Sequence, residues 1–498
     1  MTAMFDSSRK RWLALIVLCL GDLMIVLDTT IVNVALPSIR EDLAFTETSL
    51  VWVVNAYMLT YGGFLLLGGR LGDLYGQRRL FLLGTTLFTL ASLACGLAGS
   101  QGLLVVARAV QGLGGAVVSA IALSLIMNLF TEPVERAKAM GIYGFVMAGG
   151  GSVGALLGGL LTEALSWHWV FLVNIPIGAA VYALTVALLQ ESRAPAAARL
   201  DVGGAVTVTA SLMLAVYAVV NGNEAGWTST QTLALLCAAA VLLALFLAIE
   251  ARVRDPLMPL RLFRLRSVAT ANVVGILWSA AMFAWFFVSA LYLQLVLGYS
   301  AMQVGLAFLP ANLIMAAFSL GISARMVMRF GIRVPLAAGL ALTTAGLALF
   351  ALSPADGSFA LHVLPGMTLL GIGCGMAMNP VLLAAMSDVP QSESGLASGV
   401  VNTSFMMGGA LGLAVLASLA AARTDRLLAF GADSLAALNG GYHIAFALGA
   451  VFAAAAALAS AVLLRPGQQT SPHESDDATP DSTGGMQAAA GSAGKSTG

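Results

Sequence analysis

Long apolar stretches separated by short polar breaks dominate this 498-residue chain, and their length decides what they form. A helix rises about 1.5 Å per residue, so roughly 20 apolar residues cross the roughly 30 Å hydrocarbon core of a bilayer. The pattern predicts fourteen such spans, at 12–36, 49–69, 80–99, 103–126, 139–162, 168–189, 202–221, 231–249, 268–293, 303–323, 334–352, 363–386, 397–419 and 443–464. The loops between them are too short for a soluble domain. After Arg465 the chain turns rich in Ser, Thr, Gly, Pro and acids, which predicts a disordered tail. The expected class is an all-α polytopic membrane protein.

Charge orients the spans. An even number places both termini on one side. If that side is the cytoplasm, the N-terminus, the even-to-odd loops and the tail hold 20 of the 24 Lys and Arg residues. Arg40, Arg423 and Arg426 fall on the far side, and Arg108 lies within a span. Positive residues concentrate on the cytoplasmic face, so both termini are expected there. The densest cluster is Arg252, Arg254, Arg261, Arg264 and Arg266. Arg9, Lys10 and Arg11 imitate the start of a signal peptide. The apolar run that follows is too long, carries two acids and lacks a small-residue cleavage site, so it is expected to stay as the first helix.

Composition narrows the function. A chain 59% hydrophobic and 10% charged, with mean hydropathy +0.91, is no soluble enzyme, and a net charge of zero predicts no nucleic-acid partner. The four cysteines (Cys19, Cys95, Cys237, Cys374) fall inside apolar spans and are expected to pack, not to bridge or bind metal. No catalytic triad or metal-ligand spacing is present, so neither an enzyme nor a metal site is expected. AAGSAGKS at 489–496 satisfies the loose phosphate-loop pattern, but it lacks a preceding strand and a following helix. No cofactor is expected, and the energy source is expected to be a proton gradient, not ATP.

Two acids stand in the wrong solvent. Asp28, in LDTTIVNVALP (27–37), and Asp22 both sit in the first span. A charge there costs several kcal/mol unless paired, wetted or protonated. Asp28 lies about 24 Å along its helix from the cytoplasmic side, and Arg108 about 9 Å below the outer surface. Those depths nearly coincide, so the two groups are expected to meet if both face a central cavity. The pair either responds to protonation or simply ties two helices together. Asp22, about 120° around the helix, is either a second proton site or hydrogen-bonded to a neighbouring helix.

The chain also echoes itself. Tyr75, Gly76 and Arg78 of GRLGDLYGQRR (69–79) return as Phe330, Gly331 and Arg333, an offset of 255 residues that carries the first span onto the ninth. Internal duplication is a transporter architecture, with the substrate site between the repeats. The expected organisation is a six-helix half at 1–190, two inserted helices and a linker at 191–266, a second six-helix half at 267–465, and a tail at 466–498.

Over residues 10–465 the sequence resembles the fourteen-span drug:proton antiporter branch of the major facilitator superfamily. LDTTIVNVALP matches that branch's first-helix motif. Gly69, Arg70, Leu71, Asp73, Gly76, Arg78 and Arg79 match the superfamily's loop motif, and Leu104, Arg108, Gln111, Gly112 and Gly114 match its fourth-helix motif. WHWVFLVNIPIG (167–178) and YLQLVLGYSAMQVGLAFLP (292–310) resemble further stretches of the branch. Gly150, Gly154, Gly158 and Gly159 match the fifth-helix antiporter motif, but Ala155 stands where that motif carries proline.

The resemblance implies a major facilitator fold and proton-coupled export of lipophilic or cationic drugs across the plasma membrane by alternating access. It implies proton coupling at Asp28, Asp22 and Arg108, with proton and substrate competing for one acidic cavity. A cytoplasmic latch is implied at Gly69, Asp73, Gly76, Arg78 and Arg79. Candidate cavity residues are Asn33, Gln111, Trp278, Trp285 and Phe286, the last three within an aromatic and methionine-rich ninth span. Small molecules, protons and lipids are the expected partners, with no obligate protein partner. Trp167, His168 and Trp169 are expected in an interfacial belt, Glu163 and Glu224 as solvated acids, and Asn174 as shaping the sixth span. The rivals are a narrow exporter of a metabolite or self-made antibiotic, and a non-transporting receptor.

Overall fold

The computed structural model describes residues 2–130, 132–189, 201–253, 256–389 and 394–464; within its helices, some side chains, including those of Arg70, Asp73 and Glu224, lie outside the description. All regular structure among the described residues is helical: α1 (Thr2–Asp42), α2 (Glu47–Tyr75), α3 (Gln77–Gly96), α4 (Gln101–Leu129), α5 (Pro133–Ala164), α6 (Trp169–Leu172), α7 (Asn174–Leu188), α8 (Val202–Ala225), α9 (Thr230–Glu250), α10 (Arg266–Leu291), α11 (Ala301–Ala317), α12 (Ser323–Phe330), α13 (Arg333–Phe350), α14 (Leu364–Met386), α15 (Ser394–Ala429) and α16 (Ser434–Leu463).

Each expected span falls on a helix. The sixth is divided between α6 and α7, and the tenth between α11 and α12, joined by the π-helical turn Phe318–Ile322. Among the described residues twelve helices are long and apolar enough to cross a membrane, and two shorter apolar helices, Val153–Ala164 and Ala301–Ala317, lie in the fifth and tenth positions. The tail after residue 467 lies outside the described residues.

Local chemistry sets the ends. Thr46 and Ser300 each form a reciprocal capping box, with Ser49 and Gln303, at the starts of α2 and α11. Gly76 separates α2 from α3 at φ 97°, and Gly331 ends α12 at φ 73°. Both angles are costly for a side chain with a Cβ, so the repeated glycine is a turn requirement in both copies.

Helices α1 to α7 pack through α1–α5, α2–α4 and α3–α4, and helices α10 to α16 through α10–α15, α13–α14 and α13–α16. The two sets meet along α2–α15 and α5–α11. In the first of these seams the buried Asn55 amide donates to the Ala410 carbonyl at 2.9 Å. Helices α8 and α9 pack on each other, and α8 leans on both α2 and α15. Only 17% of the most apolar window of α9 is buried within the molecule, so the rest of that surface suits lipid.

Candidate functional site

The site assembles where α1, α3, α4 and α7 converge. Asp28 on α1 is fully buried. Its Oδ2 accepts from Arg108 Nη1 at 2.5 Å, and its Oδ1 accepts from Gln111 Nε2 at 2.6 Å and Asn174 Nδ2 at 3.0 Å. Arg108 and Gln111 are three residues apart on α4, hence on one face of the helix. Arg108 Nη1 also donates to Gln111 Oε1 at 2.6 Å, and its Nε donates to the Val53 carbonyl at 2.8 Å. Its guanidinium lies over the Tyr57 ring, 4.4 Å from the centroid. Gln111 in turn donates to Ser92 Oγ on α3 at 2.8 Å. Burying two charges is tolerable only with this density of partners.

Close helix approach makes the network possible. A Cβ on Gly112 would collide with the Tyr57 carbonyl and the Thr60 hydroxyl, and one on Gly114 would lie 2.7 Å from Phe88 N. The two glycines let α4 press against α2 and α3.

Asp22 is also fully buried, and accepts a short hydrogen bond from the Ser119 hydroxyl on α4. Its Oδ2 has no hydrogen-bond partner. The Tyr61 and Tyr143 phenols are near enough to feel its charge.

A cavity of about 110 Å³ opens beside this network. Ile25, Val26 and Thr29 of α1, Val54, Tyr57, Met58 and Tyr61 of α2, Arg108 of α4, Phe283 of α10 and Met406 of α15 line it. The expected acidic wall is absent from that lining. Asp28 is not among the lining residues, whereas its partner Arg108 is. None of the five expected cavity residues lines it either. Trp278 packs edge-on against Phe405, Trp285 packs against Phe286 and Phe308, and both tryptophans are 1% exposed. Asn33 turns back to the Thr29 carbonyl of its own helix at 3.0 Å, and Gln111 belongs to the acid network. Phe283, of the same aromatic stretch, is the residue that reaches the cavity. A larger groove of about 290 Å³ between α3 and α7 contains none of the network residues.

At the α2–α3 turn, Arg78 Nη2 donates to the Val186 carbonyl at 2.8 Å, and Gln77 Nε2 donates to Ser124 Oγ at 2.7 Å. Gly69 sits 3.8 Å (as a built Cβ) from Ala120, an ordinary contact, so the tight glycines here are Gly68 and Gly72. The side chain of Asp73, expected in the latch, lies outside the described residues, and Arg79 makes an interaction.

The α5 glycines serve two contacts. Gly150, Gly154 and Gly158 face α1, where a Cβ at Gly158 would meet the Ile31 carbonyl at 2.7 Å. Gly159 faces α11 instead, 2.7 Å (as a built Cβ) from the Ala301 carbonyl. Helix α5 runs unbroken through Ala155, whose carbonyl receives the bare backbone of Gly305. Alanine in place of proline keeps the backbone N–H that proline lacks.

The sequence profile described as Major Facilitator Superfamily matches residues 18–413. The chain belongs to the major facilitator superfamily. Among relatives of this facilitator, the puromycin resistance protein pur8 of Streptomyces alboniger is 40% identical over 448 residues, covering 88% of this chain and 89% of the relative. The cephamycin export protein CmcT of Amycolatopsis lactamdurans is 39% identical over 463 residues, covering 92% and 94%. The multidrug resistance protein Stp of Mycobacterium tuberculosis is 40% identical, covering 83% and 77%. Among solved structures, an autoinhibited POT family peptide transporter aligns at TM-score 0.66 and 17% identity, covering 93% of this chain and 99% of that one. That last likeness concerns the fold alone.

Several residues of this facilitator's site carried too weak a signal in the sequence. Tyr57 and Ser92 sit in ordinary apolar spans, and nothing local marks them. Asn174 had a signal, being an amide two residues before proline in the apolar stretch WHWVFLVNIPIG, and its partner is Asp28. Glu163 is exposed, as expected of a solvated acid, and in addition accepts from Ser300 Oγ at 2.7 Å and Met302 N at 3.0 Å, at the start of α11. One expectation is corrected in part: Trp167 is 4% exposed and donates to Asp42 at 2.9 Å, so it is packed inside, while Trp169 is 45% exposed.

Proposed function

We propose that this facilitator is a proton-coupled exporter of lipophilic or cationic small molecules in the plasma membrane. It works by alternating access through fourteen spans, with both termini cytoplasmic and no ATP or other cofactor. The observation that carries the reading is the buried Asp28–Arg108 pair, whose arginine is among the residues lining the cavity. With Asp28 ionised, the pair is neutral to the cavity, and a cationic compound can occupy it. When Asp28 gains a proton, Arg108 keeps its charge without its counter-ion, and the cavity becomes hostile to a cation. The proton therefore acts through Arg108 and not by direct competition for a carboxylate in the wall. Asp22, fully buried beside the Ser119 hydroxyl and the Tyr143 phenol, is the second candidate proton site. The α2–α15 and α5–α11 seams are the surfaces on which the halves would rock.

The relatives' names support export, since they include resistance and export proteins for puromycin, cephamycin and lincomycin. They also favour the second reading, a narrow exporter of one such antibiotic. The fold and coupling are the same in both readings, so only a substrate panel separates them.

The test is reconstitution in liposomes with an imposed pH gradient, following a panel of cationic dyes and antibiotics with Asp28→Asn alongside. Gradient-driven movement in the wild type, lost in the variant, is the expected result. Undiminished gradient-driven movement in Asp28→Asn would remove Asp28 from the coupling. Movement of a single antibiotic and no dye would select the narrow exporter.

A further inference from the structure

Away from the cavity, at the base of the two inserted helices, two acids are buried against each other. Asp201 is 5% exposed and Glu250 is 3% exposed. Asp201 caps α8, its Oδ1 accepting from Gly204 N at 2.7 Å. Glu250 is the last residue of α9, and its Oε2 accepts from Met258 N at 3.0 Å. The two remaining oxygens, Asp201 Oδ2 and Glu250 Oε1, are buried and receive no hydrogen bond. They lie 2.5 Å and 2.8 Å from the point where Gly204 would carry a Cβ, and the two carboxyl groups are within hydrogen-bonding reach of each other. Glycine at 204 is what leaves room for both.

Two unpaired carboxylates in such contact do not both stay ionised in a dry site, because each raises the cost of the other's charge. One proton turns the repulsion into a charge-assisted O–H···O bond and satisfies both orphan oxygens. We propose that Asp201 and Glu250 share a single proton, and that this proton clamps the segment around Met258 onto the inserted helices and onto α2 and α15.

The surroundings define the clamp. Leu257 packs with Leu67 of α2 and Ala205 of α8, while Met258 packs against a cluster of Val208 of α8, Phe246 of α9 and Met407 of α15. Helices α2 and α15 form one of the two seams between the halves, so the segment touches both sides of a moving joint. The elements around the pair present few other charges. On α8 and α9 the facing groups are the two acids themselves; in the following segment, Arg252, Arg261 and Arg264 are exposed. From α2 the contact is apolar, through Phe64, Leu67 and Leu71. Arg254, Asp255 and the side chains of Arg70 and Asp73 lie outside the described residues. Loss of the shared proton drives the carboxylates apart, breaks the Glu250–Met258 bond and frees the segment. In the orientation proposed above, this site would respond to cytoplasmic pH, independently of Asp28.

Hydrogen exchange at the Met258 amide tests this on the purified full-length protein in lipid nanodiscs, without any transport assay. After correction for intrinsic exchange, wild-type protection should fall at least about tenfold between about pH 6 and about pH 9. Glu250→Gln should stay protected throughout, because its amide donates to Asp201 while its carbonyl still accepts from Met258. Asp201→Asn, which preserves the helix cap, should behave the same way and guards against misfolding of the first variant. Protection that is independent of pH in the wild type, or equally pH-dependent in both variants, overturns the proposal. So does protection at high pH that returns with added sodium or magnesium, which would make the pair a cation site. None of these outcomes bears on whether the protein exports drugs.

Discussion

Asp28 accepts from three donors, and Arg108 ties the acid to the α2 backbone, to Gln111 and to the cavity surface. Removing the guanidinium should therefore do more than remove a charge. Arg108→Ala leaves a buried carboxylate without its counter-ion, and breaking a buried pair costs about 3–5 kcal/mol. A large drop in thermal unfolding temperature in detergent is the expected readout. Arg108→Lys keeps the charge but lacks the planar fork that reaches Val53, Asp28 and Gln111 together. That variant should fold and yet lose gradient-driven export by at least about tenfold, the equivalent of about 1.4 kcal/mol. The pairing was legible in the sequence because depth along a helix is arithmetic. The shielding of Asp28 from the cavity was not, since it depends on which way two side chains turn in a shared space.

Among the elements, α5 shows how glycine spacing becomes a contact surface. Its three-residue gaps place Gly150, Gly154 and Gly158 on one stripe, which closes on α1, whereas Gly159 turns towards α11. Gly158→Leu would drive a side chain into the Ile31 carbonyl and should sharply reduce the folded fraction on size-exclusion chromatography. Gly102→Leu, at a position with open space around it, should leave that profile unchanged. On α8, Thr209 fits the bare backbone of Gly63 on α2. Gly63→Leu should separate these helices and destabilise the protein by about 1–3 kcal/mol, the usual range for overpacking. A thermal melt would detect it, and an unchanged melt would mean that α8 does not press on α2. The small-residue pattern of α5 was visible in the sequence. The partner of each glycine was not, because sequence spacing defines a face and not what lies against it.

For the whole molecule, the bias of basic residues predicts one orientation. In a cysteine-free background, a single cysteine at Ala432, between α15 and α16, should react with a membrane-impermeant maleimide in intact cells. One at Ile332, between α12 and α13, should react only after permeabilisation. The reverse pattern would invert the proposed topology. The same scale explains why the aromatic wall expected on α10 is mostly core. Trp278 and Trp285 are among the largest fully buried side chains, and the crossing of α10 with α14 and α15 leaves only part of its surface to the cavity.

Hydropathy, span length, the charge bias and the two acids of α1 were properties of the sequence alone. They follow from the energetics of apolar and charged groups in lipid, which act residue by residue. Even the repeated glycine turn at 76 and 331 was marked, because few other residues tolerate that backbone angle. What only the tertiary structure decided were the relations between distant elements. These include Asn174 and Gln111 as the other donors to Asp28, Phe283 and not its tryptophan neighbours at the cavity, Glu163 at the start of α11, and Asp201 facing Glu250. Each depends on helix rotation and on close approach through bare glycine backbone. Both are settled by the packing of the whole bundle and not by any local run of residues.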